Sequence, residues 1–286
     1  MNGFNEYKKY VKVNIISSIV GLVFTIVLIY FANLRGALIS AVTYQSIIFF
    51  VSLYFVSKCK WFKKEYLFGK FKSHVALNLM HFSLMTIVSA LIVPFSQIYI
   101  RNHIAKTISF DAAGIWEGIN RMSGIYLMII TSSLAIYYLP KISSLKKISE
   151  IRLEILNVYK FLTPIVLIAV TLIFLFKYYI ILIVFTKDFL EMQYLFSYQL
   201  VGDFFKMMSW VLSFIMIAKA QTKLFVFSEL FFASTFVLLV ILCISEFELI
   251  GVSIAHMINY ILYFIFLVIV YRNLLFLKSS KSSELF

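Results

Sequence analysis

The stretch LFVFSELFFASTFVLLVILCISEFELIGVSIAHMINYILYFIFLVIVY (224–271) decides the fold class. It holds two apolar runs, at about 224–244 and 250–271. Each is as long as the roughly 20 residues that a helix needs to cross about 30 Å of hydrocarbon. Strands of a membrane barrel would be about ten residues long with strict alternation, and that pattern is missing here. Six more runs of the same kind lie upstream, at 13–31, 37–57, 75–100, 114–139, 161–182 and 196–217. The composition of the whole chain agrees, with 62% of the 286 residues hydrophobic, 14% charged and a mean hydropathy of +0.96. Soluble domains are about 45–50% apolar and about 25% charged. A soluble globular enzyme is therefore excluded, as is a disordered chain, which needs the opposite composition. The expectation is an all-α polytopic membrane protein with about eight transmembrane helices. Run 13–31 is too long for a cleavable signal peptide and has no small-residue cleavage site after it.

Basic residues set the expected orientation. Segments 1–12, 58–74, 140–160, 218–223 and 272–286 hold nineteen Lys and Arg residues, whereas the alternate loops hold five: Arg35, Arg101, Lys106, Lys177 and Lys187. The bias alternates at each of the eight spans and predicts both termini on the cytoplasmic side. The net charge of +13 then reads as membrane-surface charge. The basic loop 58–72 is expected against anionic lipid headgroups, and no nucleic-acid partner is expected.

Besides Lys177 near the outer end of its run, five charges fall inside the spans: Glu117, Arg121, Asp203, Lys206 and Glu229. A charge at a helix centre costs about 2.5–3.5 kcal/mol on insertion scales, so the default reading is a functional site facing the bundle interior. Helical spacing gathers them into stripes. Glu117, Asn120, Arg121 and Gly124 share one face, and Gln199, Asp203, Lys206 and Trp210 share another. The structural alternatives are a local Glu117–Arg121 pair at a helix end and a self-neutralising Asp203–Lys206 pair. Glu229 has no basic residue at i±3 or i±4, and either snorkels or carries a proton. His256, Asn259, Tyr260 and Tyr263 form a third stripe, and His74, Asn78, His81 and Met85 a fourth; such histidines are read first as helix-packing residues. Pro94 and Pro164 are expected to kink their helices.

Several chemistries find no support. The chain has no GxxxxGK[ST], HExxH or GxSxG motif, and its two cysteines, Cys59 and Cys243, make neither a disulfide framework nor a metal site. The longest outer loop, about 183–195, is too short for a catalytic domain. No cofactor and no metal are expected.

The runs Gly114–Gly118 (GIWEG), Tyr138–Pro140 (YLP), Gln199–Lys206 (QLVGDFFK) and Ile217–Ala220 (IAKA) resemble the Wzx-type flippases of the MOP exporter superfamily. The likeness is to the group that handles lipid III of enterobacterial common antigen and O-antigen units, and it runs from near residue 1 to about residue 272. It implies a partial MOP/MATE-like two-lobe fold, with 1–74 as the last two helices of the N-lobe and 75–286 as a six-helix C-lobe. The family usually has about twelve spans, so the first four would be absent, through a truncated reading frame or because another polypeptide supplies them. The resemblance further implies a membrane transporter, not an enzyme, in the bacterial inner membrane. It would move undecaprenyl-pyrophosphate-linked oligosaccharide by alternating access coupled to an ion gradient. Arg121, Lys206, Gln199 and Asn120 are then candidates for substrate binding, and Asp203, Glu117 and Glu229 for ion coupling. A polysaccharide polymerase and a chain-length regulator are candidate partners. The rival readings are a MATE-like small-molecule exporter, a membrane-embedded glycan polymerase or acyltransferase, and a scaffold of a polysaccharide assembly complex.

Overall fold

A computed structural model describes residues 7–59, 62 and 73–276, and the described residues form helices and short connections. The chain divides into two compact units, Met1–Lys72 and Ser73–Phe286. Most of the basic loop 58–72 lies outside the described residues.

The first unit is one helical stretch, α1 (Tyr7–Ser57), broken at Asn33, whose φ of 47° and ψ of −128° are not helical. An unbroken helix of its 51 residues would be about 75 Å long, far more than a bilayer. The contacts show a hairpin instead. A Cβ placed on Gly36 would sit 1.9 Å from the Leu28 carbonyl oxygen, and one on Gly21 would meet the Tyr44 ring.

The second unit contains α2 (Ser73–Thr107), α3 (Phe110–Ser133), a π-helical turn (Leu134–Tyr138), α4 (Leu139–Ser144), α5 (Ile148–Val184), a 3-10 segment (Lys187–Tyr194), α6 (Phe196–Ala218), α7 (Thr222–Val270) and α8 (Arg272–Phe276). Helix α7 breaks at Glu248, with φ 50° and ψ −135°. It too folds back on itself: Phe227 and Phe232 meet Phe266, and Phe236 meets His256. Among the described residues, six helices are long and apolar enough to cross a membrane. Two of them are hairpins, so together they make the eight passes read from the sequence.

Both hairpins use the same local device. The dihedrals of Asn33 and Glu248 are those of the first central residue of a type II′ reversal, which favours glycine. Each is followed by Leu and then, three positions on, by Gly36 or Gly251. A Cβ on Gly251 would lie 2.2 Å from the Cys243 carbonyl oxygen, eight residues back, as Leu28 is from Gly36. Helices α2 and α5 run on through Pro94 and Pro164; the two reversals fall elsewhere, at Asn33 and Glu248.

Helix α5 also starts earlier than its apolar run. Residues 148–160 are helical because Ile151, Ile155, Leu162 and Val166 form one buried stripe, while Glu150 pairs with Lys147 in the first turn at 3.6 Å. Helix α3 begins at an N-cap, with Ser109 Oγ accepting from the Ala112 N–H at 3.0 Å and Asp111 in the first turn. Helix α6 ends in a Schellman motif, Gln221 N–H to Met216 O at 2.8 Å and Ala220 N–H to Ile217 O at 3.1 Å, with Ala220 at φ 52°.

Helix α6 is the post of this unit: 61% of its apolar window is buried, against 28% or less for the other spans. Leu195, Phe196 and Leu200 belong to one apolar cluster with Ile100, Trp116 and Ile119. Met207, Val211 and Ile215 belong to another with Tyr138, Ile155 and Leu267. Asp203 lies on α6 between these two clusters.

Candidate functional site

Asp203 has no exposed surface and is met entirely by donors. Ser123 Oγ donates to its Oδ2 at 2.7 Å, the Tyr126 hydroxyl donates to the same oxygen, and His256 Nε2 lies 2.9 Å from Oδ1. Gln199 Nε2 is 3.3 Å from both Ser123 Oγ and His256 Nε2. The network thus ties α3, α6 and the second limb of α7 together. A carboxylate hidden in apolar helices needs such partners to offset its lost hydration.

The approach of α7 depends on Gly202. A Cβ there would fall 2.4 Å from His256 Cδ2 and 3.1 Å from the Met257 Cα. Gly202→Ala is expected to push the limb away from Asp203 and cost about 1–3 kcal/mol. Gly124→Ala, with nothing within 4 Å of its added Cβ, is the matched control. Melting of the two variants in detergent checks this; equal midpoints would contradict it.

One turn beyond Asp203, Lys206 enters a cavity of about 270 Å³. Its Nζ lies 4.8 Å from the Tyr260 ring centroid and 5.6 Å from that of Trp210, so the cation rests on aromatic faces. Glu229, His256, Asn259 and Tyr263 line the same space, with Gln97 and Asn120 on the wall made by α2 and α3. Asn120 Nδ2 donates to Gln97 Oε1 at 2.8 Å. The buried Asn259 Oδ1 has no hydrogen-bond partner. Glu229 lies in the field of Lys206 and reaches toward Ser89 of α2.

Just past Gln97 and Asn120, Glu117 accepts from Arg121 Nε at 2.8 Å and lies 3.7 Å from Arg101 Nε. The Arg121 side chain is 74% exposed. The structure therefore brings Asn120, Lys206 and Glu229 around one cavity, places Gln199 and Asp203 behind its wall on His256, and leaves Glu117 and Arg121 as a local pair one turn away. The stripe His256–Tyr263 lines the cavity. His81 instead lies near Thr222 at 3.4 Å, and the side chains of His74 and Asn78 fall outside the described residues. Gln97, Ser123 and Tyr126 were missed. For the last two a signal existed, since the polar stripe through Asn120 continues at i+3 to Ser123 and again to Tyr126. Among the described residues no group of three or more His, Cys, Asp or Glu side chains could hold a metal ion.

A sequence profile of the family described as "Polysaccharide biosynthesis protein" matches residues 4–194. The chain belongs to that family. It is also 28% identical, over 267 residues, to proteins named lipid III flippase from Escherichia coli (strain K12) and from Shigella flexneri. The alignment takes 92% of this chain and 64% of theirs, so the chain spans just under two thirds of the length of these curated relatives. No solved structure matches it. These matches bear out the resemblance to Wzx-type flippases read from the motifs, and the chain is a multi-pass α-helical membrane protein of the polysaccharide biosynthesis family.

Proposed function

We propose that the chain serves in flipping undecaprenyl-pyrophosphate-linked oligosaccharide across the bacterial inner membrane, for enterobacterial common antigen or O-antigen synthesis. Residues 1–74 correspond on this reading to the last two helices of an N-lobe and 75–286 to a C-lobe, with both termini cytoplasmic. The observation that carries it is Lys206, a cation seated on aromatic rings in a polar cavity inside a bundle of apolar helices. Holding a cation there costs free energy that packing does not require. A ligand bearing phosphate returns it through charge-assisted hydrogen bonds.

The diphosphate docks on Lys206, and Asn120 and Asn259 bind the first sugar. Arg121, freed from Glu117, meets the anion at the rim, and Gln199 holds the wall in register. Alternating access moves the polar head through a wet cavity while the lipid stays in the bilayer. Glu229 and Asp203 are the carboxylates for ion coupling, because each lies in the field of Lys206, which is unmasked when the anion leaves. Polymerase and chain-length regulator act on the released repeat unit.

The test is flipping of a fluorescent polyprenyl-diphosphate oligosaccharide in proteoliposomes. Lys206→Ala is expected to slow it about 10–100-fold, the worth of a charged hydrogen bond of about 1.5–3 kcal/mol. Lys206→Arg keeps most of the rate. Unchanged flipping by Lys206→Ala would sink the proposal.

A further inference from the structure

A second hollow, a groove of about 580 Å³, runs beside the polar cavity between α2 and the joint of α6 with α7. Its chemistry is the opposite. Phe82, Met85, Ala90 and Val93 of α2 face Ile217 and Phe225, with only Thr86 and Ser89 as polar members. The two hollows adjoin: Val93 lines both, and Ser89 of the groove faces Glu229 of the cavity. One face of α2 therefore reads mostly apolar from Phe82 to Val93, interrupted by Thr86 and Ser89, then polar at Ser96 and Gln97 and charged at Arg101. The apolar part is about 16 Å long at 1.5 Å per residue. Pro94 stands at the change of polarity, where its missing N–H leaves the Ala90 carbonyl without its usual helical donor.

A polar cavity that borders an apolar trough along one helix fits one kind of molecule, an amphiphile with an anionic head and a long hydrocarbon chain. We infer that the α2 groove holds the first isoprene units of the polyprenyl tail while the diphosphate sits on Lys206. This rests on the flippase reading above and adds to it the place where the tail leaves the bundle. The groove acts as a rail: it keeps hydrocarbon out of the wet cavity and fixes the head at one depth. Ala90 is its smallest lining side chain, so an aromatic residue there would project into the trough, which Lys206 does not line. Thr86, exposed and one turn away, offers a second such position.

Photolabelling of the full chain in nanodiscs tests this. The tail probe is a polyprenyl-diphosphate disaccharide with a diazirine in the isoprene unit nearest the diphosphate. The head probe is a short-chain, water-soluble diphosphate disaccharide with a benzophenone on the sugar. The tail probe is expected to label the Phe82–Val93 face and Phe225. Excess unlabelled polyprenyl-diphosphate sugar should suppress that label about tenfold, and phosphatidylglycerol should not. Ala90→Trp and Thr86→Trp should each cut tail labelling about tenfold and leave head labelling of the cavity unchanged. Head labelling with a tail label spread evenly over lipid-facing helices, or equal labelling of the groove by a diazirine phospholipid, overturns the rail and spares the flippase reading. Tryptophan variants that label like the parent do the same. Absence of cavity labelling by the head probe overturns both.

Discussion

Asp203→Ala is expected to be the most damaging exchange in the bundle, costing about 3–5 kcal/mol, the usual penalty for removing one member of a buried charged network. The reason lies in what stays behind. Ser123, Tyr126 and His256 lose a common acceptor, and Lys206 loses the nearest anion on its own helix. Asp203→Asn keeps an acceptor oxygen for part of the network and should cost less. Combining Asp203→Ala with Lys206→Met removes the stranded cation and should recover part of the loss, a coupling that a double-mutant cycle measures. The readout is the unfolding midpoint in detergent. A midpoint for Asp203→Ala equal to that of the parent would show that the carboxylate is solvated and not part of a network.

Gly251→Ala and Gly36→Ala form the second large effect, at about 3 kcal/mol or more each, the upper end of overpacking costs. In both cases the added methyl meets backbone, the carbonyl groups of Cys243 and Leu28, which cannot rotate away as a side chain would. The limbs must spread instead, and for α7 that spreading separates Phe232 from Tyr263, whose tilted rings now meet with centroids 4.8 Å apart. Gly114→Ala is the control, because its added Cβ has open space around it. Expression level and melting of the three variants decide the matter; similar values would mean that the hairpins close more loosely than described.

The number and length of the passes were legible because hydrocarbon thickness imposes them, and runs 224–244 and 250–271 carry that constraint openly. The site was legible only in part. Spacing along α6 places Asp203 and Lys206 on one face, and the structure keeps them there, but it gives Asp203 partners that local spacing cannot reveal. Ser123 and Tyr126 lie about 80 positions upstream and His256 about 50 downstream, and only tertiary packing joins them. The Glu117–Arg121 pair was visible because i, i+4 contacts are local. Helix α5 was read short because its first turns are charged outside and apolar on one stripe, so a window average hides them. The reversals fall in the gaps 32–36 and 245–249 that the apolar runs leave, but the residues that make them, Asn33 and Glu248, were not legible: neither is Gly or Pro, and the glycine that matters comes three positions later.

A reversal closed within a single residue leaves the two limbs of α7 no freedom to slide. Glu229 on one limb and His256, Asn259 and Tyr260 on the other therefore travel as the tines of one fork. Any widening of the space around Lys206 must then come from α2 and α3 swinging clear, with Gln97 and Asn120 as the moving jaw and the fork as the anvil.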